Sequence, residues 1–401
     1  MQLRKYIISF LFLGGMFSFS GCDGIFRDVP NDKLSQESIW GSQLLLDEYV
    51  LPWYRNMSNG FSVYMPATTL LKGASRDYLP WYGDQITVSK SDWYNTAYGD
   101  ILKSIPAEVT RRGLINWTNY YTRIQSINLL FENQDKIRNG DHKKRVLGEA
   151  HFFRAYYYYM LLRQFGGVLL LKNNYDPLHD GTKFPRASYE EMVNFIAEEA
   201  DLAASLLSEE LSPRDIGRAT RGAALMLKAK TYFWAASKIY QNQEKSYLGF
   251  PDDRSDAMLT AAAKAYDELM KLPYSLIQIT GSTQDQIKEQ YRQIFLTKNS
   301  QESIWEVQHS NDGDFSNGFG HKLDRESVSP YYGGTVAAYS PTQNHVDEYG
   351  MRDGKAYDAK HPYDNRDYRF YANVLYDGCS FRGRVMEIHY NKVNGKGIIL
   401  H

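Results

Sequence analysis

Large aromatic side chains stand directly beside polar ones in two neighbouring stretches of this sequence. Residues 76–84 read RDYLPWYGD, and residues 91–95 read SDWYN. Neither stretch has the periodicity of a helix or a strand, so these rings are the ones least expected to be required for core packing. Sugars present flat C–H faces and rims of hydroxyl groups, and a site for them combines apolar walls with a few polar anchors. The pattern favours carbohydrate binding, against the alternative that the rings only pack the loops onto helices.

Eight side chains are our candidate ligand contacts, six in these two stretches and two in a later loop. The expected stacking plates are Trp81, Trp93 and Tyr94. The expected partners of sugar hydroxyl groups are Arg76, Asp77 and Asn95. Tyr331 and Tyr332 are expected to close over the ligand from the later loop.

Known signatures of catalysis are missing from the sequence. It has no H-E-x-x-H, no G-x-S-x-G, no Walker loop and no dinucleotide-binding fingerprint. Residues 312–318 resemble a calcium-binding loop, but the glycine comes one place late and Leu323 stands where the bidentate Glu belongs. A glycosidase needs two carboxylates at a defined separation. With 47 acidic residues in the chain, the presence of two carboxylates in the sequence does not indicate such a site. We therefore expect no enzymatic activity, no metal and no cofactor.

The balance of charge argues against a nucleic-acid partner. Lys and Arg number 46 and Asp and Glu number 47, which gives a formal net charge of −1. Nucleic-acid binding needs a basic face or stripe, and no long block of one sign occurs here.

The N-terminus has the order of residues found in bacterial export signals. Arg4 and Lys5 precede an apolar run that ends at Phe19, and this run is shorter than the roughly 20 apolar residues of a membrane span. The sequence that follows, Ser-Gly-Cys22, is typical of a lipobox, although Leu is usual where Phe19 stands. We expect a signal peptide over 1–21 and a lipid on Cys22, against the alternative of a secreted protein with an incidental cysteine.

Helical periodicity dominates the middle of the chain. The predicted helices are a first one from about Ser38 to Pro52, then 117–137, 141–165 with Asp141 as N-cap, 188–207 after Ser188, 220–240 from Thr220, and 255–272. Helices 117–137 and 141–165, and then 188–207 and 220–240, form antiparallel pairs. Such pairs predict a mainly α fold with a tetratricopeptide-like repeat scaffold, although the strict 34-residue spacing is missing.

The remaining chain is expected to form irregular, loop-rich regions of the same domain. We assign residues 22–35 to a lipidated tether and 36–401 to a single domain. Its helical repeats occupy about 36–52 and 115–272, and its loop-rich regions occupy about 54–106 and 275–401. Within the second of these, residues 303–308 alternate as in a strand.

Three segments together resemble the SusD/RagB family of outer-membrane nutrient-binding lipoproteins from Bacteroidota. Residues 149–168 resemble the family's helix that ends in an FGGVP-type turn, and GRATRGAA at 217–224 is similar to its next helix start. YDNRDYRFY at 363–371 is similar to a later run of the family. The order of the segments agrees with the family, and the resemblance spans nearly the whole chain from Cys22. Family members usually continue with a further helical segment, so we expect the sequence to be truncated at its C-terminus.

The resemblance implies a location and a partner. It implies a surface-exposed protein, lipid-anchored to the outer membrane, that binds glycan and passes it to a TonB-dependent, SusC-like transporter. Two alternatives remain open: capture of oligopeptides, and a tetratricopeptide interaction scaffold with no role in transport.

Replacing Cys22 by Ala should release the protein from the membrane, because the acyl chains on one residue supply the anchor. Fractionation of cells that express the variant checks this. A variant that stays in the membrane fraction would contradict lipidation at this position.

Replacing Trp93 by Ala should weaken glycan binding about 5- to 150-fold, on the scale of about 1–3 kcal/mol for stacking on one aromatic ring. Titration calorimetry measures the affinity, and the melting temperature serves as the control. A sharply lower melting temperature with unchanged affinity would place Trp93 in the core instead.

Overall fold

A computed structural model describes residues 36–55, 57, 86–88, 117–175, 184–308, 328, 330–333, 339–387, 391–393 and 396–398. The predicted signal peptide, Cys22 and the predicted tether lie outside the described residues. The helices, in chain order, are α1 Gln36–Gly41, α2 Gln43–Arg55, α3 Trp117–Glu132, α4 Asp141–Phe165, α5 Tyr189–Leu206, α6 Arg221–Ala235, α7 Ser255–Leu269, α8 Gln284–Leu296, α9 Gln343–Asp347 and α10 Tyr368–Asn373. The predicted mainly α fold is confirmed.

Strands in the described part of the chain form short antiparallel pairs. These are β1 Ile86–Val88 with β2 Tyr339–Pro341, β3 Ser380–Phe381 with β4 Arg384–Val385, and β5 Asn391–Val393 with β6 Lys396–Ile398. None of the described helices is long and apolar enough to cross a lipid bilayer.

Helix α4 forms the centre of the core. It packs against α3, α5, α2 and α6, and every residue from Tyr157 to Leu162 is buried. A helix that is apolar on all sides must be enclosed by its neighbours, which explains why four helices contact it. The same packing supports the tetratricopeptide-like pairing expected from the sequence.

Local signals in the sequence set the ends of the central helices. Gly166 ends α4 with a φ of +69°, a left-handed conformation that favours glycine, and its N–H bonds the Leu162 carbonyl at 2.9 Å. Ser188 starts α5 with a reciprocal capping box to Glu191, and the Thr220 hydroxyl accepts from Ala223 N–H at 3.1 Å to start α6. The predicted starts of α5 and α6 are confirmed.

Several predicted boundaries differ from the structure. The N-cap position of α4 is Gly140, and Asp141 is its first helical residue, where a carboxylate still favours the positive end of the helix dipole. Helices α3, α6 and α7 end earlier than predicted, at Glu132, Ala235 and Leu269. The first predicted helix is divided in two and includes Pro52.

The strand predicted at 303–308 is wrong, because no strand forms there. Trp305 instead packs against the core, and its indole N–H bonds the Gly217 carbonyl at 3.0 Å. Its neighbour Ile304 packs against a second apolar cluster, so this segment is held by side-chain packing without a partner strand. The region that was expected to be loop-rich also contains a regular helix, α8.

A buried ionic cluster joins α3, α4 and α5. The guanidinium of Arg154 bonds both carboxylate oxygens of Glu199, at 2.7 and 2.8 Å, and the Asn128 amide oxygen at 2.9 Å. His151 Nδ1 lies 2.9 Å from the same carboxylate. Burial would raise the pKa of Glu199, but hydrogen bonds from His151 and Arg154 outweigh it and hold the pKa below its ordinary value of 4.5.

The substitution Glu199→Gln should lower the free energy of unfolding by about 3–5 kcal/mol, because it leaves the buried Arg154 without its anion. Chemical denaturation measures the change. The matched control is Glu209→Gln, which breaks an exposed pair with Arg221 and should cost less than about 1 kcal/mol. Equal effects of the two changes would contradict the assignment.

The same pair predicts the pH dependence of stability. Since the pKa of Glu199 is lower in the folded state, its contribution is present above the ordinary value of 4.5 and is lost as the pH falls through the folded-state pKa. The difference in unfolding free energy between wild type and Glu199→Gln should therefore shrink below pH 4.5. A difference that stays constant in this acid range would be evidence against the lowered pKa.

Candidate functional site

The predicted ligand contacts divide into two groups in the structure. The six early ones, Arg76, Asp77, Trp81, Trp93, Tyr94 and Asn95, lie outside the described residues. Tyr331 and Tyr332 are described, and they are consecutive residues of the 3₁₀ turn Pro330–Tyr332. The geometry of the site is therefore built from this turn and the elements around it.

Tyr332 is buried and holds the turn in place. Its side chain, 3% exposed, packs in a small cluster with Val328 and Met386. The backbone N–H of Glu387 donates to its hydroxyl at 2.9 Å, and the hydroxyl lies 3.4 Å from the carbonyl oxygen of Val385. This ring serves packing, so within the pair it is Tyr331 that is placed to contact a ligand.

Tyr331 presents its ring to solvent. The side chain is 55% exposed and stands perpendicular to the ring of Tyr332, with the ring centroids 4.9 Å apart. The guanidinium of Arg384 lies 5.1 Å from the centroid of the Tyr331 ring, and its Nη1 donates to the Tyr331 carbonyl. The result is a largely exposed aromatic ring with a cation over it, in a cation–π contact.

The hairpin β3–β4 carries the arginines of this site. Its two-residue turn, Arg382–Gly383, has positive φ at both positions, +52° and +75°, which is the geometry of a tight type I′ hairpin. Arg382 Nη1 donates to the carbonyls of Tyr332 at 3.2 Å and Gly333 at 3.4 Å. The turn that bears Tyr331 is thus bonded to the hairpin through its own backbone.

The pairing of β1 with β2 brings distant parts of the chain together. β1 lies between the two aromatic stretches 76–84 and 91–95, and it pairs with β2, which follows Tyr331 by eight residues. Both aromatic stretches lie outside the described residues, so a site that they share with Tyr331 stays a prediction.

Arg382 and Arg384 were not among the predicted site residues. The available signal was the stretch FRGRV at 381–385, in which a glycine between two arginines indicates a turn. Nothing local to that stretch indicates contact with residues about fifty positions earlier. In the part of the chain that the structure describes, no group of three or more His, Cys, Asp or Glu side chains could hold a metal ion.

Solved structures of similar fold come from Bacteroides. The chain is similar to a SusD-like protein of Bacteroides fragilis, with 25% identity, a TM-score of 0.58, and coverage of 86% of this chain and 62% of that one. It is also similar to a SusD-like carbohydrate binding protein of the same species, with 19% identity, a TM-score of 0.65, and coverage of 88% and 63%. A surface glycan-binding protein A from Bacteroides fluxus shares 18% identity at a TM-score of 0.50, with coverage of 77% and 62%.

The chain spans less than two thirds of the length of these solved structures. No curated protein matches it in sequence.

Two family models match along the chain. Residues 28–233, about half of the sequence, match SusD-like_3, described as starch-binding and associating with the outer membrane. Residues 301–397 match SusD_RagB, described as the SusD family. The two matches follow the order of the segments singled out above, and their extent shows that the chain belongs to the SusD/RagB family.

Proposed function

We propose that this protein is a surface lipoprotein that binds oligo- or polysaccharide and passes it to a TonB-dependent transporter of the outer membrane. The observation that carries the proposal is the ring of Tyr331, which is more than half exposed and has the Arg384 guanidinium over it, 5.1 Å from its centroid. A flat apolar plate with adjacent hydrogen-bond donors has the chemistry needed to hold a sugar ring.

The way in which the plate is held supports a role in binding. Arg382 and Arg384 bond the carbonyls of residues 331–333. The buried side chain of Tyr332 anchors the same turn in the cluster with Val328 and Met386. A ring that is already ordered loses little conformational freedom when a ligand stacks on it, so more of the contact energy appears as affinity. Only Tyr331 needs to remain exposed in such an arrangement.

The comparisons support the same proposal at the level of the family. The family description names starch binding and the outer membrane, and two of the similar structures are described as carbohydrate- or glycan-binding proteins. In the proposal the protein acts by binding alone and breaks no bond in the glycan. The lipid on Cys22 would keep it beside the transporter that receives the ligand.

The substitution Tyr331→Ala should weaken glycan binding about 5- to 150-fold, because it removes one stacking plate worth about 1–3 kcal/mol. Affinity electrophoresis against a panel of polysaccharides identifies a bound glycan, and calorimetry then gives the dissociation constants.

Tyr357→Ala is the matched control. Tyr357 is 54% exposed, and the guanidinium of Arg366 lies 5.3 Å from its ring centroid, so it resembles Tyr331 in exposure and in having a guanidinium close to its ring. Equal losses for both variants would count against a site at Tyr331. Binding of oligopeptides with no glycan retarded would favour peptide capture, and recovery of protein partners alone would favour the interaction scaffold.

A further inference from the structure

Arg384 is exposed and has no ion-pair partner among the described residues, unlike several other arginines of this protein. Arg221, Arg254 and Arg369 each form an ion pair with a carboxylate. Arg384 has no carboxylate within ion-pair distance in the described part of the chain, and its hydrogen bond there goes to the neutral carbonyl of Tyr331. Its positive charge is therefore not neutralised within this region.

The geometry of the guanidinium leaves a binding edge available. Arg384 uses Nη1 for the Tyr331 carbonyl, and among the described residues its Nε and Nη2 donate to nothing. A guanidinium carries five N–H donors in a planar fork. The Nε and Nη2 edge matches the spacing of two oxygens on a carboxylate or sulfate, which arginine binds with two parallel hydrogen bonds.

A second positive charge lies beside the first. Arg382 also donates to the turn that carries Tyr331, at the carbonyls of Tyr332 and Gly333. Two guanidinium groups therefore hold this one short turn, and of the two it is Arg384 that keeps an edge available for a ligand.

We propose that the sugar stacked on Tyr331 carries an anionic group, a carboxylate or a sulfate ester, and that Arg384 binds this group. The inference rests on the proposed function and specifies its substrate class as an acidic glycan. The ring face of Tyr331 binds the apolar side of the sugar, and the Arg384 fork selects for the charge. Because an exposed ion pair is screened by salt, binding should weaken as ionic strength rises.

The test compares glycans that differ only in charge. Polygalacturonate is paired with its methyl ester, and dextran sulfate is paired with dextran, so that the two arms separate a carboxylate from a sulfate. The full chain should bind the anionic member of at least one pair about tenfold or more tightly than its neutral counterpart, the scale for hydrogen bonds to charged groups. Dissociation constants come from calorimetry at two salt concentrations.

Three variants separate the site from general charge attraction. Arg384→Gln should abolish the preference for the anionic member, and Arg384→Lys, which keeps the charge but lacks the fork, should retain only part of it. Arg138→Gln removes one positive charge from the exposed turn between α3 and α4 and should leave the preference intact. Circular dichroism establishes that each variant is folded, and the Lys variant carries the test if the Gln variant is not.

The outcomes distinguish this inference from the proposed function. Equal affinity for charged and neutral members, or a preference that survives in Arg384→Gln, would overturn the acidic-glycan inference and leave glycan binding standing. Binding to no glycan, neutral or charged, would overturn both. Equal losses in Arg384→Gln and Arg138→Gln would show attraction by net charge alone and would also overturn the inference.

Discussion

The carboxylate of Glu149 is fully buried at the centre of the helical scaffold, and its need for partners constrains much of the fold. It accepts hydrogen bonds from Tyr54 on α2 at 2.9 Å, from Arg145 one turn earlier on α4, and from Arg218 before α6 at 3.0 Å. A buried carboxylate without such partners would cost several kcal/mol. Three separate parts of the chain must therefore meet at this residue for α4 to be enclosed, and the Tyr54 hydroxyl extends the cluster by accepting from Ala219 N–H at 3.0 Å.

The segment held by this cluster also connects the scaffold to the later part of the chain. Gly217, next to Arg218, accepts from the indole of Trp305, and the chain beyond Trp305 carries the turn with Tyr331. In that later part, some arginines bond backbone carbonyls instead of carboxylates. Arg366 is 3% exposed and bonds the carbonyls of Pro362 and Tyr349. Irregular backbone leaves carbonyls that no helix or sheet satisfies, and guanidinium groups supply the missing donors. The same chemistry holds the Tyr331 turn to its hairpin.

The parts of the fold that could be predicted are those with local causes. Ser188, Thr220 and Gly166 act through bonds within a few residues, so the ends that they set are visible in the sequence. The strand assigned to 303–308 failed because consecutive residues, Ile304 and Trp305, pack against two different apolar clusters and no other described segment pairs with this one. Helix α8 was not predicted, although Thr283 and Gln286 form a capping box at its start. The arginines of the candidate site could not be predicted, because their contacts join residues about fifty positions apart.

Tyr331 and Tyr332 show how far sequence can lead at a binding site. The two residues are identical and adjacent, and composition alone assigns them the same role. In the turn one ring enters the cluster with Val328 and Met386, and the other, perpendicular to it, is more than half exposed. Burial of the first ring is what fixes the second in position. The cluster of Val328, Tyr332 and Met386 therefore decides which of the two tyrosines is left exposed to contact a ligand.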